Sequence, residues 1–518
     1  MKHASNCLCC LSILFWSSIF AGDFLSFESP FKGDPSFRIY CLIDFLENET
    51  IKKLKLNGSP IERYWLLKDD KVLAPTGFIE SGIYELALDY AWKNKKKYEL
   101  EVLIEEISSK KLSKYRIADF SPLQGGIVHG EEGFSQTLHV KEPIGLSRTN
   151  EVVVLSLTAP TTEIRDKNFV IYMDNTLLPY QFLESKENVP DKTAQVDHPS
   201  TLTVSLAVPI TLKPLESKIL IVLKGKKQST SSPGFTIEGK GLGKRVSNGN
   251  LLFEFDSQSG QLKSILDQKE NLILQNPIGT LHWNPDVYIP NIAWDHSFDW
   301  KPPPSYQENE GPFFWIQSRK GSMPIIKDIF LEVQYTLQKE TRYLVSETRM
   351  TPLKQLSLAA LRNDEMVVDH KLFDHLIYSS NGKVTILPLK PQPKGFQGLY
   401  HVAPFDADWV GFVHSKQNIG FFSLRLEHSN QSFDGSPLAL HKPGTYFYAP
   451  DLQSYIYWVR ALFYTWGEFA TSNFLTFVPK GSSFYEKNAY LFLQLKEGYL
   501  KEVEGFFKKL KFPARVDS

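Results

Sequence analysis

The chain has 518 residues, with 58 basic and 58 acidic side chains and a formal net charge of zero. Hydrophobic residues make up 42% and charged residues 22%, an ordinary globular balance that excludes wholesale disorder. The missing basic surplus argues against a nucleic-acid binder, and only the 13% aromatic content departs from the average.

Residues 1–22 read as a secretory signal, with Lys2 in a short basic region, the apolar run Leu11–Phe20, and small residues at Ala21 and Gly22. The apolar run is shorter than the ~20 residues of a spanning helix, so cleavage is expected over retention as an anchor. The expected destination is the periplasm or the outside of the cell. Cys7, Cys9 and Cys10 would leave with the signal, and Cys41 alone would remain. A lone cysteine forms no internal disulfide and argues against a thiolate metal site. No later segment is long and apolar enough to predict a transmembrane helix.

Strand patterns dominate the rest. Residues 23–112 have the size of an immunoglobulin-like β-sandwich. Ile51–Leu56 alternates polar and apolar, the turn pair Asn57-Gly58 follows it, and Tyr84–Tyr90 and Tyr98–Ile104 read as a hairpin with a lysine-rich tip. Residues 113–235 form a second small β domain with strands expected at Glu151–Leu157, Phe169–Met173, Thr201–Ala207 and Lys218–Leu223. It ends in the polar linker Lys224–Gly234. The glycines of Glu238–Lys244 fit no phosphate-loop spacing and read as a flexible lead-in.

Residues 236–497 are the largest segment. A hairpin of Asn250–Asp256 and Gln261–Leu266 opens it, and further strands are expected at Ile329–Tyr335, Arg342–Thr348, Lys383–Leu387, Trp409–Val413, Gly420–Arg425 and Leu475–Val478. So many strands without interleaved helices imply a large antiparallel sandwich. Residues 498–518 carry an amphipathic helix, with Leu500, Val503, Phe506, Phe507 and Leu510 on one side to dock on that sandwich. The fold class is therefore all-β: two small β-sandwich or barrel domains, then a large antiparallel supersandwich and a C-terminal amphipathic helix.

The segments Asn168–Phe182 and Leu212–Leu220, followed by the hairpin Ser247–Asp267, resemble a small β domain leading into the galactose-mutarotase-like supersandwich of carbohydrate-active enzymes. The arrangement is similar to the β-rich half of family 38 α-mannosidases and to some polysaccharide lyases. The mannosidase catalytic barrel needs ~200 residues or more, and the stretch ahead of the second segment is too short to hold one. Any chemistry implied by the resemblance must come from the sandwich.

Eight of the 12 histidines lie between His282 and His441, and seven of the ten tryptophans between Trp283 and Trp466. Sugar sites pair aromatic faces with imidazoles and carboxylates, so this enrichment marks the candidate region. The stretch Leu281–Trp300, broken by Pro285 and Pro290, reads as a long functional loop. In it Trp283, Trp294 and Trp300 are candidate stacking walls, with His296 and Asp299 as catalytic partners; ordinary packing of the same aromatics is the competing explanation. Arg362 could neutralise a uronate or orient hydroxyls, and His370 or His375 could act as a base. Trp409 adds a carbohydrate-binding candidate beside His401, a further acid–base candidate. His370 and His375 stand five apart, a spacing that neither a strand nor a helix turn sets side by side, so as a metal pair they are weak, and the sequence leaves any cofactor unknown. The expected partner is a polysaccharide or oligosaccharide, cleaved by a lyase or glycosidase or held by a non-catalytic surface module.

Overall fold

The computed structural model describes residues 40–45, 49–56, 59–61, 64–68, 71–73, 82–88, 98–106, 112–120, 135–173, 176–188, 200–224, 234–290, 292–389, 398–449, 454–464 and 475–517. Residues 1–22, expected to be a signal, and most of the expected linker lie outside them. The chain divides into two compact units, one made mainly of the residues before Ser229 and the other running from Thr230 to Pro513.

The first unit holds antiparallel sheets. Strands Tyr40–Phe45, Gly82–Leu88, Tyr64–Lys68 and Lys71–Leu73 form one, and Ser59–Pro60, Glu49–Leu56, Tyr98–Glu106 and Leu112–Phe120 another. Lys55 pairs with Pro60 and Leu56 with Ser59, and the expected turn pair Asn57-Gly58 lies outside the described residues. The expected hairpin of Tyr84–Tyr90 with Tyr98–Ile104 is not formed. Its first strand pairs with Tyr40–Phe45 and Tyr64–Lys68, its second with Glu49–Leu56 and Leu112–Phe120. Further along, Arg148–Pro160 pairs with Thr201–Leu212, and Ser217–Lys224 lies between Phe169–Met173 and Ser135–Lys141. The buried Arg148 guanidinium there holds Glu142 (2.8 Å) and Glu151 (2.7 Å).

The second unit is the large sandwich. One layer has nine strands, in the order Ser305–Glu310, Phe314–Ser322, Ile329–Gln338, Tyr343–Pro352, Ser483–Gln494, Ile419–Gln431, Trp409–His414, His375–Ser380 and Lys383–Pro388. The other has six: Ala293–His296, Asp286–Ile289, Ala360–Asp369, Tyr455–Tyr464, Gly444–Tyr448 and Leu399–Ala403. Alternation sends Leu331, Val333, Tyr335 and Leu337 of one layer and Val287, Leu361, Val368 and Trp458 of the other into a shared core. The glycine-rich Glu238–Lys244 is an ordered hairpin of Thr236–Lys240 with Gly243–Ser247, whose turn uses the positive φ of Gly241 (58°).

The C-terminal helix, Tyr499–Lys511, lays Val503 and Phe507 on Phe422, Leu424, Leu491 and Trp409, on the side of the nine-stranded sheet away from the core. Among the described residues no barrel closes, and no helix is long and apolar enough to cross a membrane.

Candidate functional site

The stretch Leu281–Trp300 is less irregular than its prolines suggest. Pro285 and Pro290 bound a strand rather than interrupt one, and Asp286–Ile289 pairs with Ala293–His296 as the rim hairpin of the six-stranded sheet. Val287 enters the core, so Asp286 and Tyr288 face outward, as do Trp294 and His296 across from them.

The adjoining strand, Ala360–Asp369, breaks its register twice, after Leu361 and again between Asn363 and Met366. Such bulges re-aim side chains. Asn363 turns to Thr348 (2.7 Å), and Asp364, at φ 49°, turns to Ser423 (2.8 Å), Trp458 and Arg460 (3.2 Å) in the space between the layers. Arg362 and Glu365 are left to approach Asp286. Asp286 is opposite His296 on one side and Arg362 on the other, so base, acid and guanidinium form a row across three strands.

In this row Arg362 Nε–H donates to Asp286 Oδ1 at 3.0 Å, its Nη2 donates to Asp286 Oδ2, and Nη2 also reaches Glu365 at 3.4 Å. His296 Nδ1 stands 3.2 Å from Asp286 Oδ2. Burial resists the charge on Asp286, but Arg362 and His296 outweigh it and hold the carboxyl well below its usual range. Burial pushes Glu365 upward, and the Asp286 charge adds to this against the pull of Arg362. For His296 burial alone would lower the pKa, yet the contact with Asp286 and the nearby Glu365 raise it. The result is an ionised aspartate, a carboxyl that retains its proton, and an imidazole inclined to hold one.

Aromatic rings surround the row. Trp294 covers the Arg362 guanidinium at 4.0 Å and lies 6.1 Å from the His296 ring. Trp283 sits 5.7 Å from His296 and stacks on Phe298 at 5.2 Å. The carboxylates are closed off, with Asp286 0% and Glu365 1% exposed, whereas His296, Trp283, Trp294 and Phe298 remain partly open.

Asp286, His296 and Glu365 bring ligand atoms within 4.8 Å of one another, a spacing that could hold a metal ion. Arg362 bridges both carboxylates and already supplies the positive charge such an ion would bring, so the donor set fits a metal poorly.

The other expected residues do not join this row. Arg362, itself in the row, is engaged there by Asp286 and Glu365. Trp300 is 3% exposed and donates its indole N–H to Ser322 O inside the core, so it offers no face to a sugar. Trp409 is 0% exposed beneath the C-terminal helix, where its N–H reaches Glu504. His401 occupies the opposite rim strand of the six-stranded sheet and stacks on Tyr378 at 5.5 Å, about 24 Å from His296 at ~4.8 Å per strand. His370 is exposed at the end of the bulged strand, 3.6 Å from Asp369, and Asp299 lies in the turn after His296. Asp286 and Glu365 were missed as site residues. The available signal was four consecutive polar residues, Arg362–Glu365, inside an otherwise apolar run.

No protein-family profile matches the chain, and no curated protein matches it. Among solved structures it is similar to an α-mannosidase from Enterococcus faecalis V583, at 11% identity and a TM-score of 0.47, over 74% of this chain and 46% of that one. A family 38 glycosyl hydrolase from Enterococcus faecalis matches at 13% identity and a TM-score of 0.44, over 74% of this chain and 47% of that one. A galactose mutarotase-like protein from Lactobacillus casei matches at 11% identity and a TM-score of 0.32, over 50% of this chain and all of that one. The chain thus spans about half the length of the mannosidases it matches, and these structures are of the two groups that its sequence resembles.

Proposed function

We propose that this is an exported carbohydrate-binding protein that holds a glycan on the outer face of the six-stranded sheet, over the row His296–Asp286–Arg362. The observation that carries the reading is the flanking of a partly open, acid-backed imidazole by Trp283 and Trp294. Rings of this kind bury the apolar face of a sugar while the imidazole meets its hydroxyls. Export rests on the apolar segment Leu11–Phe20.

His296, whose Nδ1 stands 3.2 Å from Asp286, is the group that could transfer a proton to or from a bound sugar. Hydrolysis by the two carboxylates has less support. Retaining glycosidases hold their pair ~5–5.5 Å apart and inverting ones ~6.5–9.5 Å, open to substrate. Here Asp286 and Glu365 come within 4.8 Å, joined by Arg362 and closed to solvent. Elimination would need a free cation beside a uronate, and Arg362 is engaged. Burial of the acids favours binding without cleavage.

The test is titration of the protein with a panel of neutral and acidic polysaccharides, read by intrinsic tryptophan fluorescence and calorimetry. Trp294→Ala and His296→Ala are each expected to weaken binding at least about tenfold, roughly 1.4 kcal/mol, with the folded circular-dichroism spectrum retained. Absence of binding across the panel would overturn the proposal. Assays of reducing ends and of new ultraviolet absorbance, run on the same panel, would expose hydrolase or lyase activity and shift the reading to an enzyme.

A further inference from the structure

We propose a second ligand site, independent of the glycan face: Arg425, with Arg460 behind it, receives a small oxyanion, a carboxylate or a phosphate group, in the space between the two layers beside His428.

A register break builds the site. In Ile419–Gln431, Phe421 enters the core, and Ser423 and Arg425 follow it by alternation. His428, three positions beyond Arg425, would face the other way in a regular strand. The break between Arg425 and Glu427 instead turns Leu426 to the helix side and returns His428 to the inner face. There His428 lies opposite Glu486, and Arg425 lies opposite Asn488. From the facing layer Arg460 donates through Nη1 to Glu486 and, at 3.2 Å, to Asn488, so the two arginines have Asn488 as a common neighbour.

The two guanidinium groups are unequally matched. Arg460 takes both nearby carboxylates, Asp364 at 3.2 Å and Glu486. Arg425 is 4% exposed and makes no ion pair among the described residues. Its Nη1 donates to the Phe405 carbonyl, and its central carbon lies 4.3 Å from the centre of the Phe405 ring. A buried cation without a counter-charge is costly. Arg425 Nε, Arg460 Nε and Nη2, and the hydroxyl of Thr445, the cross-strand neighbour of Arg460, have no hydrogen-bond partner among the described residues. The N–H groups can only donate and the hydroxyl is able to, so the chemistry they call for is an acceptor, best a charged one. Burial and the Arg460 charge lower the Arg425 guanidinium to about 10 against Glu486, Asp364 and Asp406, and it remains a cation at neutral pH.

Entry is from the His428 side. His428 and Asp406 are exposed and Phe405 is half-buried, and the His428 and Phe405 rings meet edge to face at 6.0 Å. Asn488 and Thr445 are buried on the far side, so the site suits a free ion or a terminal group rather than a chain passing through. His428 also reports on the site. Burial, Arg425 and Arg460 lower its pKa to about 4, with Lys511 adding to them and Glu486 opposing. An anion beside Arg425 would raise it again.

The experiment titrates the full chain with sodium phosphate and with sodium malonate, against sodium chloride at equal ionic strength. It reads the urea midpoint and the His428 pKa by nuclear magnetic resonance, the signal being assigned with His428→Gln. At least one of the two anions is expected to raise the midpoint above chloride and to raise the His428 pKa by about half a unit or more. The tighter of the two tells a phosphate site from a carboxylate site. Arg425→Gln is expected to weaken that anion at least about tenfold and to start with a higher His428 pKa that the anion no longer moves. No response to either anion beyond that to chloride in the wild-type chain would overturn the proposal, whether or not the variant folds. So would an equal response in Arg425→Gln, or a rise in midpoint that leaves His428 unchanged. None of these outcomes touches the carbohydrate reading, which is tested at Trp294 and His296.

Discussion

Glu365 is held in a place where losing its proton is costly. It is enclosed, it neighbours the ionised Asp286, and its one cationic contact, Arg362, is shared. The sign of the effect on stability follows. Between the ordinary carboxyl value of ~4.3 and the raised folded value, the folded chain keeps a proton that the unfolded chain has released, so stability falls as pH rises. His296 acts in the same direction higher up: its raised folded value contributes stability that is full below ~6.5 and is lost as pH climbs through that value. In urea unfolding from pH 5 to pH 8 the wild type should therefore lose stability relative to Glu365→Gln as pH rises, a difference in which the oppositely signed contributions of His282 and His428, whose folded values burial lowers, cancel. Each tenfold difference in proton affinity removed corresponds to about 1.4 kcal/mol. An identical slope in the variant would mean that Glu365 is ionised in the folded state. At this scale the sequence was informative about residue type and poor about placement. Clustering of His and Trp pointed to His296, Trp283 and Trp294, but it equally pointed to Trp300 and Trp409, whose rings are core. Composition along a chain does not say which face of a strand a ring occupies, nor that Asp286 and Glu365, 79 positions apart, meet at one guanidinium.

The strand Ala360–Asp369 shows how an element builds the row. A regular strand carrying Arg362, Asn363, Asp364 and Glu365 would send them alternately to the two faces. The register breaks instead pair them, two inward and two outward. Of the inward pair, Asn363 is held by Thr348 and Asp364 by Arg460, which is itself shared between Asp364 and Glu486. Asp364→Ala should remove the anchor and leave Arg460 short of one buried carboxylate, at a cost of about 3–5 kcal/mol in urea unfolding. It should also loosen the row, which nuclear magnetic resonance would read as a fall in the His296 pKa toward its ordinary value. An unchanged His296 titration in a folded variant would show that the bulge does not depend on Asp364. Regular elements were legible from alternation: Phe169–Met173 and the helix Tyr499–Lys511 stand close to where the pattern sets them. The bulged strand was not, because four polar residues in a row mimic a loop. Prolines hid the rim hairpin for the opposite reason, since they sit at the ends of its first strand while suggesting breaks within it.

In the second unit most strands pair with their neighbours in sequence, but the pairing that joins the nine-stranded layer is distant. The strand Ser483–Gln494 is flanked by Tyr343–Pro352 on one side and Ile419–Gln431 on the other, so the nine-stranded layer is complete only when this late segment inserts. Antiparallel layering was readable from the many strands without helices, whereas strand order was not, because alternation reports faces and not neighbours. The helix that follows covers what the inserted strand and its neighbours would otherwise expose: Leu491, Leu493, Phe422, Leu424 and Trp409 turn away from the core and are closed over by Val503 and Phe507. Helical propensity alone would not hold thirteen residues in place, so this burial must. Replacing both Val503 and Phe507 with Asp should therefore release the helix. The expected cost is about 3–5 kcal/mol in urea unfolding, with Trp409 becoming accessible to acrylamide quenching. Glycan affinity at His296 should stay within about twofold, because Val503 and Phe507 belong to a different packing cluster from the outer-face aromatics, across the shared core. A loss of binding equal to that of His296→Ala, in a protein that still unfolds cooperatively, would mean that the two faces of the sandwich are coupled through the polar contacts of Asp364, Arg460 and Glu486 between the layers.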